Sequence, residues 1–276
     1  MSATTVYKMT GSGNDFVFLD GRSTSVSDWP ADRVRAICDR RRGVGADGLV
    51  VLDGTGPGRI RMTYLNADGS RVDMCGNAAL CSTRLAQRLG IATGDMTLES
   101  DAGDYAARCV GPAWMAEIGL GDIPLPQVAA VPLEAEERRA SFGVVGVPHV
   151  VLLVDDVAQA PVVARGRALR YAQQFQPAGT NVNFVSRVPG DPEVAWQLRT
   201  YERGVEAETL ACGTGTVASV LALAALGEAA MPCRVRACGG GILSVSGSVE
   251  GGVARDVWLR GEGRLVFRAS WEGDSD

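Results

Sequence analysis

The chain has 276 residues, of which 46% are hydrophobic and 21% are charged, and its formal net charge is −5. This composition is ordinary for a folded globular protein of one or two domains and excludes a disordered chain. A net negative charge provides no field that would attract nucleic acid or an anionic membrane surface, so we expect neither as a partner.

The predicted elements are mostly strands, because short runs rich in β-branched and aromatic residues recur between turn-forming residues. Fewer segments show helical periodicity. In chain order the sequence predicts a strand at 15–20, a helix at 29–41, strands at 48–53 and 59–66, a helix after Cys75, strands at 113–120, 147–156, 180–186 and 194–202, a helix after Cys212, and strands within 240–252 and 254–271. The expected fold class is therefore α+β, rich in strands and with few helices.

The N-terminus has no charged segment followed by an apolar one, and no run of about 18 apolar residues occurs, so we expect a cytoplasmic protein. Seven cysteines occur without a CxxC pair, and the chain has one histidine. This pattern argues against a disulfide framework and against a zinc or other metal site. A functional role for any one cysteine therefore needs a specific local context.

An internal repeat supplies that context for two cysteines. Residues 63–90 align without gaps to residues 200–227, at a constant offset of 137. Seven of the 28 positions are identical, and both segments run from a strand end through a polar loop to Cys-Gly, a helix and a terminal glycine. The sequence predicts two related halves, each with one cysteine, Cys75 or Cys212, at the start of a helix.

The chemistry of such a pair is that of proton transfer. A helix N-terminus carries unpaired N–H groups and partial positive charge, so it favours a thiolate and can hold a carboxylate. One thiolate can remove the weakly acidic α-proton of an amino acid while an opposite thiol returns a proton to the other face. Inversion at carbon without a cofactor needs two such groups.

Five segments together resemble the diaminopimelate epimerases, in the same order and over nearly the whole chain. They are "KMTGSGNDFVFLD", "LNADGSRVDMCGN", "GVPHVV", "GTNVNF" and "YERGVEAETLACGTG". The resemblance implies cofactor-independent interconversion of LL- and meso-diaminopimelate, in the lysine and peptidoglycan pathway. It also implies two pseudo-symmetric, strand-rich halves, each a barrel-like sheet around a central helix, with the active site in the cleft between them.

Further expectations concern domains and partners. The first half is expected to span 1–121 and to be completed by the C-terminal strand at 263–276, and the second half to span 122–262. The resemblance implies a small amino-acid substrate, no cofactor and a possible homodimer.

The resemblance also implies twelve site residues. Cys75 and Cys212 match the acid/base thiols. His149 matches the partner of the first thiol, and Glu202 that of the second. The substrate-binding positions are matched by Asn14, Asn66, Asn181 and Arg203, and the two helix starts that grip the α-carboxylate by Gly76, Asn77, Gly213 and Thr214.

Other interpretations remain open for single residues. A lone histidine is usually packed in a core or lies at the surface, Glu202 can pair with Arg203, and Asn66 in "NADG" suits a turn. The chain departs from the family pattern at Val147, where many members have asparagine before Pro-His. The helix start "CGNAALC" has Ala78 and Leu80 where glycine and arginine are common. These departures lie outside the thiol chemistry and concern the substrate.

Three alternative functions follow from the sequence. A racemase for another amino acid on the same fold is motivated by Val147. A nucleotide-binding oxidoreductase is suggested by "GTGTVA" at 213–218, but no Asp or Glu occurs in "CRVRACGG" downstream, where that fingerprint needs an acidic residue. A thiol-disulfide or binding module lacks a CxxC motif and leaves His149 and Glu202 unexplained.

Overall fold

The computed structural model describes residues 3–191 and 193–273. Within them the helices are α1 (Ala31–Cys38), α2 (Gly76–Arg88), α3 (Val162–Arg170) and α4 (Gly213–Ala225), with short 3₁₀ turns at Val26–Asp28 and Gln173–Phe175. The first nine strands are β1 (Thr4–Gly11), β2 (Asn14–Asp20), β3 (Gly48–Gly56), β4 (Arg59–Asn66), β5 (Arg71–Val72), β6 (Asp95–Ser100), β7 (Gly103–Cys109), β8 (Met115–Pro124) and β9 (Gln127–Val128). The others are β10 (Glu137–Val145), β11 (Val147–Val154), β12 (Asn181–Arg187), β13 (Trp196–Glu202), β14 (Ala207–Thr209), β15 (Cys233–Ala237), β16 (Ile242–Glu250), β17 (Val253–Glu262) and β18 (Arg264–Trp271).

The strand-rich α+β fold predicted from the sequence is confirmed. The chain divides into two compact units, unit 1 comprising Met1–Gly119 with Gly261–Asp276, and unit 2 comprising Leu120–Arg260. In the part of the chain that the structure describes, none of the helices has the length and apolar character needed to cross a membrane.

Unit 1 is a mixed sheet that surrounds one helix. Its strand order is β18, β1, β2, β3, β4, β6, β7 and β8, with the short β5 beside β4. Neighbours are antiparallel except for β2 with β3 and β4 with β6, which are parallel. Strands from the whole width of this sheet contact α2, namely β1, β3, β4, β6, β7 and β18. The sheet therefore curves around α2, which fills the core of the unit.

Unit 2 repeats this topology. Its order is β9, β10, β11, β12, β13, β15, β16 and β17, with β14 beside β13. The parallel pairs are again the third and fifth neighbours in this order, β11 with β12 and β13 with β15. Helix α4 contacts β10, β11, β12, β15 and β16. The repeat detected in 28 residues thus extends over the strand order of each unit.

The two central helices begin and end alike. Each has 13 residues, follows an N-cap cysteine with extended backbone, and ends before a glycine in the left-handed conformation, Gly90 at φ 65° and Gly227 at φ 72°. From Val217 to Leu223 helix α4 is apolar except for Ser219, whose hydroxyl donates to the Gly215 carbonyl, and all these residues are buried almost completely. A helix that is hydrophobic all round must lie inside its domain, which explains the apolar run after Cys212.

Several elements escaped the sequence prediction: β1, β6, β7, β10, β15 and α3. Exposed polar and charged residues interrupt the apolar pattern of β7 and β10. Helix α3 starts after Pro161 without a side-chain cap, so its N-terminus gives no capping signal. Strand β8 was predicted at 113–120 and continues to Pro124.

Candidate active site

In unit 1, Cys75 is the N-cap of α2. Its backbone is extended, with φ −138° and ψ 118°, and its carbonyl accepts the Ala79 N–H at 2.9 Å. The Cys75 side chain is half-buried, whereas Gly76 and Asn77 behind it are buried. The β-conformation at the N-cap turns the chain so that the first helical N–H groups remain without intrahelical acceptors. The cysteine and these donors are therefore presented together, as the sequence predicted for this position.

Two predicted substrate ligands, Asn14 and Asn77, contact each other at this helix start. Asn77 Nδ2 donates to Asn14 Oδ1 at 2.6 Å, and Asn14 Nδ2 donates to Asp47 Oδ2 at 2.9 Å. Because the Asp47 carboxylate can only accept hydrogen bonds, the end of the Asn14 amide that faces it must be the NH₂ group. Asn77 Oδ1 is then buried with no hydrogen-bond partner among the described residues, and the same holds for Ser12 Oγ. Buried polar atoms are normally paired, so these two are candidate substrate contacts.

A charge network holds Asp47 in place. Arg40 Nη2 contacts Asp47 Oδ1 and Asp15 Oδ1, each at 2.7 Å. Lys8, buried beside them, donates to the Asp15 carboxylate and to the Gly45 carbonyl. Burial alone would raise the pKa of Asp15, but hydrogen bonds from Arg40 and Lys8 lower that pKa below its usual value. The arginine-rich run at 39–43 thus contributes one residue, Arg40, that supports Asn14 through Asp47.

Asn66, the third predicted ligand in unit 1, takes part in a turn. Its Nδ2 donates to Ser70 Oγ at 3.1 Å, its N–H donates to the Ser70 carbonyl, and the Gly69 N–H donates to its carbonyl. This arrangement is the turn that "NADGS" favours. A role of Asn66 in substrate binding stays a prediction, and the part of its amide left for it is Oδ1.

In unit 2, Cys212 is the N-cap of α4 and its sulfur is engaged by the helix. The Gly215 N–H donates to Cys212 Sγ at 3.3 Å, and Thr214 Oγ1 lies 3.6 Å from the same sulfur. The backbone N–H and the hydroxyl of Thr216 both donate to the Cys212 carbonyl, and these two hydrogen bonds fix the first turn of α4. Because an N–H donor and the helix dipole interact more strongly with a thiolate than with a thiol, this geometry favours the charged form of the sulfur.

Arg203 and Asn181 form a second polar group in unit 2. The Arg203 N–H donates to Asn181 Oδ1 at 2.7 Å, and its Nη1 donates to the Ala178 carbonyl at 2.9 Å. Within the described residues the guanidinium makes no salt bridge to a carboxylate, so Arg203 does not pair with Glu202. Glu202 is the last residue of β13 and is half-buried. Arg203 therefore retains donors that suit a substrate carboxylate.

His149 lies in β11, is fully buried and has a neutral ring. Burial, and then the positive charge of Arg203, lower the pKa of His149 to about 3. Its Nδ1 contacts Asn183 Nδ2 at 3.1 Å. Its Nε2 is buried and, across the described part of the chain, has no hydrogen-bond partner. A core histidine with both nitrogens satisfied, the ordinary interpretation of a lone histidine, does not describe this side chain.

Comparison with known proteins agrees with these local features. The sequence model of the diaminopimelate epimerase family matches residues 6–114 and 142–255. The matched segments include Cys75, His149 and Cys212. The chain belongs to the diaminopimelate epimerase family.

Relatives match this family member almost end to end. A diaminopimelate epimerase of Gemmatimonas aurantiaca is 42% identical over 278 residues, covering 96% of this chain and 98% of the relative. One from Aquifex aeolicus is 35% identical over 271 residues and covers 95% of each chain. A Bacillus anthracis phenazine biosynthesis protein of the PhzF family has the same fold, with a TM-score of 0.73, 14% identity and coverage of 98% and 99%. The chain is thus an isomerase of the amino-acid racemase and epimerase type.

The structure of this epimerase-family chain adds site candidates that sequence reasoning missed. Four buried side-chain atoms lack a partner among the described residues, two on the predicted Asn77 and His149 and two on Ser12 and Thr209, which were not predicted. All lie in or next to the segments that carry the family resemblance. For Ser12 the sequence offered one signal, the turn-forming "GSGN". In the structure Ser12 occupies the left-handed region at φ 51°, which is unusual for serine. Nothing in the sequence marked Thr209 or the supporting Asp47.

Proposed function

We propose that the protein epimerises LL-diaminopimelate to meso-diaminopimelate with two cysteines and no cofactor, supplying the meso compound for lysine and peptidoglycan synthesis. One observation carries this proposal. Each of two units with the same strand order presents a cysteine, Cys75 or Cys212, as the N-cap of its central helix. Family membership supports the substrate, because the named relatives are diaminopimelate epimerases.

The proposed reaction exchanges protons between the substrate and the two thiols. In one direction a thiolate takes the α-proton, the electron pair stays on carbon, and the opposite thiol donates its proton to the other face. The first sulfur ends as a thiol and the second as a thiolate, so proton exchange with solvent must restore the starting state. The reverse reaction uses the same groups in exchanged roles. The contact of Gly215 N–H with Cys212 Sγ supports the charged form that one half of this cycle needs.

The substrate's charged groups have matching partners. The N–H groups at Gly76, Asn77, Gly213 and Thr214 begin the two helices and suit an α-carboxylate, whose charge also helps to stabilise the carbanion-like transition state. The guanidinium of Arg203, without a carboxylate partner in the described structure, suits the distal carboxylate. A substrate with two amino-acid ends provides both groups.

The test compares cysteine variants with matched controls. We expect Cys75→Ala and Cys212→Ala each to lower kcat for LL-diaminopimelate by at least about 10³-fold, because each removes an essential acid/base. Cys238→Ser in unit 2 and Cys109→Ser in unit 1 are the controls, since neither residue caps a helix. Epimerisation at a normal rate by either alanine variant would overturn the two-thiol mechanism.

A wild-type chain that is folded and reduced yet inactive on LL-diaminopimelate would overturn the substrate instead. Exchange of the α-hydrogen with another amino acid would then identify a racemase with the same chemistry. Circular dichroism of every variant checks that a loss of activity is not a loss of fold.

A further inference from the structure

Asn183 connects His149 to the start of the helix that carries Cys212. It lies on β12, fully buried, and its carboxamide makes three hydrogen bonds. Nδ2 contacts His149 Nδ1 at 3.1 Å and the Val150 carbonyl at 3.0 Å, while Oδ1 accepts from Thr200 Oγ1 at 3.0 Å. On the helix side, a Cβ at Gly215 would lie 2.3 Å from Asn183 Oδ1, so the amide is packed directly against α4.

The Val150 carbonyl decides the orientation of this amide. A carbonyl oxygen only accepts hydrogen bonds, so the end of the carboxamide that faces it must be the NH₂ group. The second hydrogen of that NH₂ group then points to His149 Nδ1. A flipped amide would place Asn183 Oδ1 3.0 Å from the Val150 carbonyl oxygen, where two acceptors repel each other.

The amide orientation in turn decides the histidine tautomer. Since Asn183 presents a hydrogen to Nδ1, that nitrogen must accept, and in a neutral ring the proton is on Nε2. Protonation of Nδ1 would place two donors against each other in a buried site. His149 therefore offers an Nε2–H donor, and this is the buried ring atom that has no partner among the described residues.

The equivalent positions in unit 1 show whether the fold itself requires a polar pair where unit 2 has His149 and Asn183. Thr63 is the repeat equivalent of Thr200; it pairs with Val51 as Thr200 pairs with Asn183. Extending the same register places Val17 where unit 2 has His149. Both valines are buried in unit 1. An apolar pair thus fills this position in unit 1 without loss of the fold, so the buried His-Asn pair of unit 2 carries a desolvation cost that the fold itself does not require.

We propose that Asn183 is a positioning residue that locks His149 in the Nε2–H tautomer, so that His149 serves the reaction as a neutral hydrogen-bond donor and not as a general base. The part concerning the reaction rests on the proposed epimerase function. Nε2–H suits a negatively charged group, either a carboxylate of the substrate or a thiolate. The resemblance implied only that His149 is the partner of the first thiol, and the proposed role specifies a hydrogen-bond donor rather than a base.

The single histidine makes the tautomer directly measurable. In protein labelled with ¹⁵N-histidine, all ring-nitrogen NMR signals belong to His149. We expect a pyrrole-type Nε2 and a pyridine-type Nδ1 in the substrate-free enzyme, unchanged from pH 8 to pH 5. A pyrrole-type Nδ1, an average of the two tautomers, or titration in this range would overturn the proposal, whether or not the enzyme acts on diaminopimelate.

Two variants connect the tautomer to catalysis. In Asn183→Asp, an oxygen replaces Nδ2 and carries at most one proton, whereas two acceptors, His149 Nδ1 and the Val150 carbonyl, face it. We therefore expect His149 Nδ1 to lose its pyridine-type signal. We expect kcat for LL-diaminopimelate to fall at least about tenfold with a smaller change in KM. Asn183→Val copies Val51 of unit 1, and we expect it to fold and to show the same loss of kcat.

The outcomes separate this proposal from the proposed function. A changed tautomer with unchanged kcat would overturn the positioning role while leaving the epimerase function in place. An unchanged tautomer in Asn183→Asp, shown to be folded by its thermal unfolding, would overturn the claim that Asn183 sets it. Loss of kcat together with the changed tautomer supports both parts.

Discussion

At the scale of single residues, His149 shows how burial changes the use of an ionisable group. Its ring lies next to Arg203 and away from solvent, so it remains neutral where an exposed histidine would titrate. An imidazole with its pKa lowered to about 3 is a poor proton acceptor near neutral pH. In the proposed mechanism, proton transfer is therefore assigned to the two sulfur atoms and His149 to hydrogen bonding.

This burial has a consequence for stability. In the unfolded chain His149 binds a proton with a pKa near 6.5, whereas in the folded chain its pKa is about 3. Between these values the unfolded state binds more protons, so acidification lowers the free energy of unfolding. From pH 7 to pH 5 the loss due to this residue is about 2 kcal/mol. We predict that the wild type loses this amount more than His149→Val, which copies Val17 of unit 1.

Urea unfolding of both proteins at pH 7, 6 and 5 measures the difference. All other groups are common to the two chains, so their effects cancel to first order. Parallel pH dependences would show that His149 titrates alike in both states and would contradict its buried neutral form.

Some site residues could be predicted from local sequence signals and others could not. Cys75 and Cys212 could be placed at helix starts because Cys-Gly and the terminal glycines are local signals. The turn at Asn66 was equally local. Asn183 could not be recognised, because its role depends on the register of β11 with β12 and on the approach of Gly215, neither of which a single strand sequence encodes.

At the scale of elements, the first turns of α2 and α4 differ in one informative way. Three residues after its cysteine, α2 has Ala78 whereas α4 has Gly215. A Cβ at Gly215 would lie 2.3 Å from Asn183 Oδ1 and 3.1 Å from Cys212 Sγ. In unit 1 the corresponding strand position is Val51, and alanine is accommodated. The glycine in α4 is therefore required by the polar group packed on the helix and not by the helix itself.

We predict that Gly215→Ala lowers kcat/KM by at least about tenfold, equivalent to about 1.4 kcal/mol in the activation barrier, because it displaces Asn183 or the Cys212 sulfur. The matched control is Ala78→Gly, which we expect to cost about 1 kcal/mol of stability through helix propensity and to leave catalysis intact. Steady-state kinetics and thermal unfolding of both variants measure the two effects. Equal activity of Gly215→Ala and wild type would contradict the tight packing at this helix start.

Whether a helix or strand could be predicted from the sequence depended on how completely its residues are buried. Strands such as β3 and β12, whose apolar runs are buried, and helices bounded by glycine were evident from the sequence. Strands β7 and β10 carry charged residues on an exposed face, so their pairing depends on neighbours distant in sequence. Residue pattern alone does not supply that information.

At the scale of the whole molecule, the repeated topology explains how one chain obtains two cysteines in equivalent positions. Both units have the same order of strands and the same parallel pairs, and both place a cysteine at the N-cap of the central helix. The repeat of 28 residues was sufficient to predict two related halves because it spans the helix that each sheet surrounds. The strand order could not be predicted from it, since sheet neighbours such as β13 and β15 are separated by a whole helix.

The central claim is that a different thiol serves each face of the α-carbon, and isotope exchange tests it most directly. The reduced enzyme is incubated in D₂O with LL-diaminopimelate and, separately, with the meso compound, and each reaction is stopped at low conversion. We predict that the newly formed epimer carries one α-deuterium while the remaining substrate retains its α-protium, in both directions. Deuterium entering the remaining substrate as fast as the product, or a product without deuterium, would contradict the two-thiol account.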